Sequence, residues 1–294
     1  MTEPPTNQTP SPAGDAARRA DWAPFELIFF DCDSTLSTLE GIDELARWQG
    51  RDEEVAALTA QAMNGEVPLE TVYGRRLELL QPTRAQLRQL GKAYAAALVP
   101  GAAEVVAALL AAGRIVFIVS GGLAEAVRDF GVGLGVPAEN IHAVHTAHDE
   151  LSGQWWERWK HPRGRNPDER YQAYDVGPLT LGAGKADIVR ELRAQHRGRA
   201  LLVGDGTSDL EARDAVDLFV GFGGVAARER VRAGAEVFLE GPGLEAILPL
   251  ALARPALPEP YAAIYAAGVA ALRGPVVSFQ NPAARDGLLA RLGS

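Results

Sequence analysis

Short apolar runs that end abruptly in polar residues or glycine recur along the chain. The first covers residues 25–30, is rich in aromatic residues, and is followed by Asp31 and Asp33. Runs this short, without alternation of apolar and polar positions, are typical of strands buried on both faces. Comparable runs, which predict further strands, lie at residues 114–119, 200–203, 218–220 and 236–239.

Residues 40–99, between the first two predicted strands, have a helical pattern instead. Ala, Leu, Glu, Gln and Arg dominate this segment, and runs of β-branched residues are absent from its sequence. Thr83 and Gln86 have the spacing of a capping box, and Pro68 suits a first helical turn. Further helices are predicted at residues 102–112, with Gly113 as a C-terminal cap, and at 123–130 and 186–194.

The alternation of strands and helices predicts an α/β fold with a Rossmann-like parallel sheet and right-handed crossovers. Residues 40–99 then form a helical cap inserted into an α/β core made of residues 23–39 and 100–244. Residues 1–22 are rich in Pro, Thr, Ser and Ala, which predicts a disordered tail. Residues 245–294 predict a helical C-terminal extension interrupted by prolines.

Composition and charge exclude several classes of protein. Of the 294 residues 47% are hydrophobic, enough for a substantial core, and the net charge of -9 argues against a basic nucleic-acid-binding face. The sequence has neither a secretory signal pattern nor an apolar stretch long enough to span a bilayer. We therefore expect a cytoplasmic protein that has neither nucleic acid nor membrane as a partner.

The two carboxylates after the first predicted strand are the first candidate functional residues. In an extended segment Asp31 and Asp33 would point the same way. Two like charges at such a short distance are costly unless a cation neutralises them. A hard divalent cation held by oxygen ligands, Mg²⁺, explains the pair. The alternative is a polar turn after a buried strand. The single cysteine, Cys32, lies between these carboxylates, so a reactive thiolate is not expected there.

Polar residues also follow the second and third predicted strands. Ser120 and Gly121 follow one, Asp205 and Asp209 follow the other, and Lys185 opens the helix before the third strand. Because ligands of open α/β sheets bind at the carboxyl ends of the strands, these groups could form one phosphoryl-transfer site. Taken singly, Ser120 could cap a helix, Lys185 could be solvated and Asp205 could belong to a turn.

Two further segments carry residues that could bind a metal or a ligand. His142, His145 and His148 are spaced by three, which on a helix could hold a metal, but the flanking sequence favours a surface strand and loop. Residues 154–170 combine three Trp with Arg and Lys, a mixture found in sites for single-stranded nucleic acid. The acidic chain favours a packed loop or hairpin instead.

Four motifs together resemble those of the haloacid dehalogenase superfamily. They are Asp31-Cys32-Asp33-Ser34-Thr35, Ser120-Gly121, Lys185, and Gly204-Asp205-Gly206-Thr207-Ser208-Asp209. The resemblance covers about residues 25–245. It implies that Asp31 is a nucleophile that forms an aspartyl-phosphate, and that Asp33 is the general acid and then the general base.

The same resemblance implies roles for the other motif residues. Mg²⁺ would be held by Asp31, the backbone carbonyl of Asp33, and Asp205. Asp209 would support the metal ligands. The phosphate would be held by Ser120, the Gly121 amide and Lys185, with Ser208 near the substrate carboxylate or phosphate.

Within the superfamily the chain most resembles phosphatases that act on O-phospho-L-serine. That narrower resemblance rests on residues 40–46, 62–63, 67–68, 76–77, 81–82 and 221–224. It implies that Glu40 meets the substrate ammonium, Arg76 its carboxylate, and that Met63 packs over the site. The alternatives are that Glu40 only supports a helix dipole and that Arg76 is a solvated surface residue.

Two other functions stay open at this point. One is hydrolysis of, or phosphoryl transfer from, another small phosphomonoester. The other is a non-catalytic scaffold that binds phosphorylated ligands, against which the intact set of Asp31, Asp33, Lys185 and Asp205 argues. The predicted partner is therefore a small-molecule phosphomonoester, and a homodimer is compatible with the sequence.

Overall fold

The computed structural model describes residues 22–63, 69–161, 166–181, 184–253 and 257–293. Pro68 and residues 1–21 of the predicted tail lie outside this part of the chain. Trp22, which was predicted to belong to that tail, is instead buried against Phe25 and Phe279, and its indole N–H donates to the Leu250 carbonyl. The folded core therefore begins at least one residue earlier than expected.

A seven-stranded sheet forms the centre of the molecule. Its strands are β1 Leu27–Phe30, β2 Ile115–Leu123, β3 Ile141–Val144, β6 Ala200–Gly204, β7 Leu218–Phe222, β8 Val237–Leu239 and β9 Val277–Phe279. They lie in the order β3-β2-β1-β6-β7-β8-β9, and all neighbouring pairs are parallel except β8 and β9, which are antiparallel. A separate antiparallel pair consists of β4 Thr146–Asp149 and β5 Arg170–Tyr174.

Strand β1 is buried on both faces, as its continuous apolar run predicts. Leu27 and Phe29 pack into the core on one face of the sheet, where Phe29 stacks on Phe117 with ring centroids 4.8 Å apart. Ile28 and Phe30 pack into the core on the opposite face. Because β1 lies between β2 and β6, its carboxyl end opens at the middle of the sheet edge.

Four helices lie in the described part of residues 40–99: α1 Gly41–Gln49, α2 Asp52–Met63, α3 Leu69–Leu80 and α4 Arg84–Ala96. The predicted capping box is present, because the Thr83 hydroxyl accepts from the Gln86 N–H and the Gln86 side chain accepts from the Thr83 N–H. Buried Arg84 ties α4 to the rest of the molecule through Glu125 and Glu169.

The remaining helices alternate with the strands or follow them. They are α5 Ala102–Ala111, α6 Ala124–Gly133, α7 Gly184–Gln195, α8 Thr207–Glu211, α9 Glu229–Gly234, α10 Ile247–Leu252, α11 Ala262–Arg273 and α12 Pro282–Gly293. Gly113 follows α5 with φ of 72°, as its predicted capping role requires. Among the described residues, every helix is too short or too polar to cross a membrane.

One prediction about the later segments needs correction. The extension from residue 245 is not entirely helical, since β9 adds an antiparallel edge strand to the core sheet. Residues 141–144 form β3, which pairs with β2 at the opposite edge of the same sheet. Both strands are very short, so their partners rather than their own pattern define them.

Candidate active site

A cavity of about 440 Å³ opens at the carboxyl ends of β1, β2 and β6, facing helices α1 and α3. The predicted site residues that line it are Asp31, Asp33, Glu40, Arg76, Gly121, Lys185, Asp205 and Ser208. Ser120 and Asp209 are fully buried and contact these residues. Met63 ends α2, and its side chain lies outside the described part of the chain.

Three carboxylates converge on one side of the cavity. Oxygen atoms of Asp31, Asp205 and Asp209 lie within 4.8 Å of one another. Burial and then the charge of Asp31 raise the pKa of Asp205 to about 6. Such mutual repulsion favours a positive partner, and the clustered oxygens are the donors that a hard divalent cation prefers.

Lys185 supplies one positive charge to this cluster. Its Nζ lies 2.6 Å from Asp209 Oδ1 and 3.1 Å from Asp31 Oδ2. Burial alone would lower the pKa of Lys185, but the two carboxylates hold it above its ordinary value. Helix α7 places Lys185 here because Gly184 approaches the Pro178 carbonyl, where a Cβ atom would come within 1.7 Å.

Asp33 belongs to a different set of contacts. Its Oδ1 accepts from the Gly41 N–H at 2.6 Å and from the Tyr94 hydroxyl at 2.7 Å. The two residues do not lie in the extended segment that was expected, because β1 ends at Phe30 and a turn follows, with Ser34 at φ of 51°. Asp31 and Asp33 nevertheless line the same cavity. Burial, followed by the charge of Asp31, raises the pKa of Asp33 to about 6.

The last residues of β2 bring a hydroxyl and backbone amides to the cavity. Ser120 Oγ accepts from the Gly122 N–H at 2.9 Å and donates to Asp33 Oδ2 at 3.4 Å. Gly122 lies so close to Asp33 that a Cβ atom would come within 2.9 Å of its Oδ2. This close approach explains why residue 122 is glycine.

Glu40 is held from two directions at the edge of the cavity. Its Oε1 accepts from Ser34 Oγ at 2.8 Å and from Arg228 Nη2 at 3.3 Å. It occupies the N-cap position of α1 but makes no side-chain capping bond to the described helix. Partial desolvation and then the charge of Asp33 raise the pKa of Glu40. The alternative that Glu40 only supports the helix does not account for these contacts.

Arg76 faces the cavity rather than solvent. Within the described part of the chain its Nε is buried without a hydrogen-bond partner, and its guanidinium lies 6.0 Å from the centroid of the Tyr73 ring. Burial lowers the pKa of Arg76. A buried donor without a partner is costly, so the site is suited to an added acceptor such as a carboxylate.

The histidine and tryptophan segments do not join this cavity. The three histidines do not form a metal-binding group among the described residues; His148 is buried, and its Nε2 lies 2.9 Å from the Pro82 carbonyl oxygen. Most of residues 154–170 fall between β4 and β5, which pair antiparallel, so a hairpin is present. The expectation of packing is wrong for its tryptophans, because Trp155, Trp156 and Trp159 are exposed.

Sequence reasoning missed three residues that contact the predicted site. Arg228 follows β7 and lies 3.1 Å from Asp205 Oδ2, so the strand-end rule that identified Asp205 could have found it. Tyr73 lies three residues before Arg76 on α3, a spacing that puts both on one helix face. Tyr94 lacks a local signal in the sequence, since only tertiary packing brings α4 to Asp33.

The chain is similar to known proteins over most of its length. Residues 28–213 match the family model described as haloacid dehalogenase-like hydrolase. The phosphoserine phosphatase of Bos taurus is 32% identical over 216 residues, which cover 73% of this chain and 88% of that protein.

Two solved structures are similar over most of the chain. One, described as a phospho-aspartyl intermediate analogue of phosphoserine phosphatase, is 25% identical with a TM-score of 0.61, covering 77% of this chain and 98% of that one. The other, a substrate-bound phosphoserine phosphatase complex, is 26% identical with a TM-score of 0.57, covering 76% of this chain and 96% of that one.

Proposed function

Because the chain belongs to the haloacid dehalogenase-like hydrolases, we propose that it hydrolyses O-phospho-L-serine to L-serine and phosphate through an aspartyl-phosphate. The observation that carries the proposal is one cavity lined by two chemically distinct sets of residues. Asp31, Asp205 and Lys185 suit a phosphate, and Glu40 and Arg76 suit the ammonium and carboxylate of an amino acid. Relatives named as phosphoserine phosphatases support the choice of substrate.

Asp31 is the proposed nucleophile, and Asp33 the proposed acid and base. A carboxylate oxygen of Asp31 attacks phosphorus, the bond to the serine oxygen breaks, and Asp33 donates a proton to that oxygen. Asp33 then takes a proton from the water that hydrolyses the aspartyl-phosphate. Its pKa of about 6 suits both roles, since a group that titrates near neutral pH can give and accept a proton.

The phosphate is proposed to be held by Ser120, the Gly121 amide and Lys185, with Ser208 nearby. Lys185 already lies between Asp31 and Asp209, so its ammonium is fixed beside the attacking carboxylate. Asp209 is proposed to hold Lys185 in place, because one of its oxygens accepts from the ammonium and the other from the Gly206 N–H at 3.0 Å.

Mg²⁺ is the proposed cofactor. Asp31, Asp205 and the backbone carbonyl of Asp33 would hold it, and the clustered carboxylate oxygens fit such a hard cation. When bound, the ion neutralises charge on the phosphate oxygens. The raised pKa of Asp205 fits a site whose carboxylates need a positive partner.

Substrate selection is assigned to helices α1–α4, the proposed cap over the α/β core. Arg76 offers its unpaired Nε to the substrate carboxylate, and Glu40 accepts from the ammonium. Met63 is proposed to pack over the substrate. We propose further that the enzyme acts in the cytoplasm on a free small molecule; a homodimer remains part of the hypothesis.

The test is a panel of phosphomonoesters assayed for phosphate release with Mg²⁺ and again with EDTA. Phosphoserine should give the highest kcat/KM, and EDTA should abolish turnover until Mg²⁺ is restored. Preference for a phosphomonoester without an amino acid group would contradict the substrate, and full activity in EDTA would contradict the metal. Assaying the products with an added alcohol acceptor separates hydrolysis from phosphoryl transfer.

A further inference from the structure

A chain of three hydrogen bonds runs from helix α3 to Asp33. The Tyr73 hydroxyl donates to the Gly121 carbonyl at 2.9 Å, and the N–H of the same peptide unit, on Gly122, donates to Ser120 Oγ at 2.9 Å. The Ser120 hydroxyl donates to Asp33 Oδ2 at 3.4 Å. The hydroxyls of Tyr73 and Ser120 each have one proton, and each donates it in one of these bonds, so all three hydrogen bonds can form at the same time.

The position of Tyr73 is fixed by packing as well as by this bond. Its side chain is buried, and its ring centroid lies 5.4 Å from that of Tyr174 in β5. Helix α3 can approach Tyr174 because residue 74 is glycine: a Cβ atom there would come within 2.8 Å of the Tyr174 hydroxyl. Turning the Tyr73 hydroxyl away from Gly121 therefore requires movement of the helix or of the β4–β5 hairpin.

The peptide unit between Gly121 and Gly122 is thus held at both ends. Tyr73 binds its carbonyl and Ser120 accepts from its N–H, and hydrogen bonds linked through one peptide strengthen one another. Two consecutive glycines leave this backbone more conformational freedom than other residues would. Without Tyr73, the bond from the Gly122 N–H to Ser120 would be the remaining described side-chain hydrogen bond to this peptide unit.

We propose that Tyr73 is a positioning residue that orients the phosphate-binding end of β2 when helix α3 is seated on the core, and so couples cap closure to phosphate binding. The inference rests on the proposed phosphatase function but not on phosphoserine as the substrate. Tyr73 acts through the Gly121–Gly122 peptide, so it should matter equally for every phosphomonoester. Arg76, one turn further along α3, should matter only for substrates that carry a carboxylate.

The test compares Tyr73→Phe with Tyr171→Phe. The first removes the hydroxyl and keeps the ring that packs on Tyr174; the second removes a hydroxyl from the hairpin at a residue outside the cavity lining. Measurements are kcat and KM for phosphoserine and for p-nitrophenyl phosphate, the affinity for inorganic phosphate by calorimetry, and Tm.

Tyr73→Phe should lower kcat/KM by about tenfold with both substrates and weaken inorganic phosphate binding by a similar factor, the scale expected for one lost hydrogen bond. Tyr171→Phe should match the wild type. Wild-type phosphate affinity in Tyr73→Phe would overturn the proposal, as would a loss confined to phosphoserine. If only Tyr73→Leu impaired phosphate binding, the ring and not the hydroxyl would matter, which would also overturn it.

These readouts separate this inference from the proposed function. An enzyme that ignored phosphoserine but hydrolysed p-nitrophenyl phosphate would refute the substrate assignment and still report on Tyr73. Calorimetry with inorganic phosphate depends on neither substrate.

Discussion

Arg228 forms an ion pair with Asp205, with its Nε 3.1 Å from Asp205 Oδ2, and the same guanidinium reaches Glu40 Oε1 at 3.3 Å. One side chain therefore joins a proposed metal ligand of the core to the proposed ammonium-binding residue at the start of the cap. Because 44% of the Arg228 side chain is exposed, the pair is partly screened by solvent. Arg228 partly supplies the positive charge that the carboxylate cluster requires.

Replacing Arg228 should therefore strengthen Mg²⁺ binding. In Arg228→Gln, Mg²⁺ no longer competes with a guanidinium for Asp205. Partly exposed ion pairs are worth about 0.2–1 kcal/mol, so the half-saturating Mg²⁺ concentration should fall by up to about fivefold. Mg²⁺ titration followed by calorimetry measures this directly. Arg230→Gln, an exposed neighbour, is the control. A higher Mg²⁺ requirement would mean that Arg228 instead holds Asp205 in its metal-binding orientation.

Asp31→Asn should abolish turnover and leave the fold intact. An amide is a poor nucleophile toward phosphorus, so loss of a covalent nucleophile should cost several orders of magnitude in kcat. Because the change removes both a charge that repels Asp205 and one that pairs with Lys185, Tm in EDTA should change little. Phosphate release and thermal unfolding are the measurements, with the exposed Asp187→Asn as control. Near-normal phosphate release would disprove the aspartyl-phosphate mechanism.

His148 should make the stability of the hairpin and cap depend on pH. Burial lowers its pKa, its Nε2–H donates to the Pro82 carbonyl, and its buried Nδ1 lacks a partner in the described structure. Below the unfolded pKa of about 6.5, the unfolded chain takes up a proton that the folded chain resists. The free energy of unfolding should therefore fall as pH drops through that value and be insensitive to His148 above it.

Urea unfolding between about pH 7.5 and 5.5 tests this dependence, which should not exceed about 1.4 kcal/mol per pH unit for one group. His148→Gln can keep a donor to Pro82 but does not titrate, so its pH dependence should be flatter. The exposed His145→Gln is the matched control. Equal slopes for His148→Gln and the wild type would assign the pH effect to other groups.

Local signals in the sequence were sufficient for the elements that carry the motifs. The apolar run before Asp31 identifies β1, the Thr83 and Gln86 spacing identifies the start of α4, and the strand-end rule brings Asp205 to the same edge as Asp31. These features depend on periodicity, capping chemistry and topology, which a single sequence records. The fold class was therefore predictable.

The features that were missed depend on tertiary partners. Strand β9 has three residues, too few for a periodic pattern, and is defined by pairing with β8. The turn after β1 was also missed, because Ser34 adopts a positive φ that is uncommon for residues other than glycine. Tyr94, near the end of α4, is separated from Asp33 by 61 residues in the sequence, and only the folded chain brings the two together.

Arg76 should determine substrate choice without supporting the chemistry. In a closed pocket, a lost charge-assisted bond to the phosphoserine carboxylate should cost about 2–4 kcal/mol, because the remaining charge is left buried and unpaired. Arg76→Ala should then lower kcat/KM for phosphoserine by about 30- to 1000-fold and change p-nitrophenyl phosphate hydrolysis much less. Arg75→Ala, the exposed neighbour on the same helix, is the matched control.

Glu40→Gln is a less selective probe of the ammonium side, because Glu40 also binds Arg228 and Ser34. It should lower kcat/KM more for phosphoserine than for p-nitrophenyl phosphate. A smaller loss common to both substrates is expected, because Glu40 contacts Arg228, which pairs with Asp205. Equal losses on both substrates in Arg76→Ala and Glu40→Gln alike would show that these residues hold the cap in place. The phosphoserine assignment would then lose the contacts that recognise the amino acid, while the phosphatase chemistry at Asp31 would be untouched.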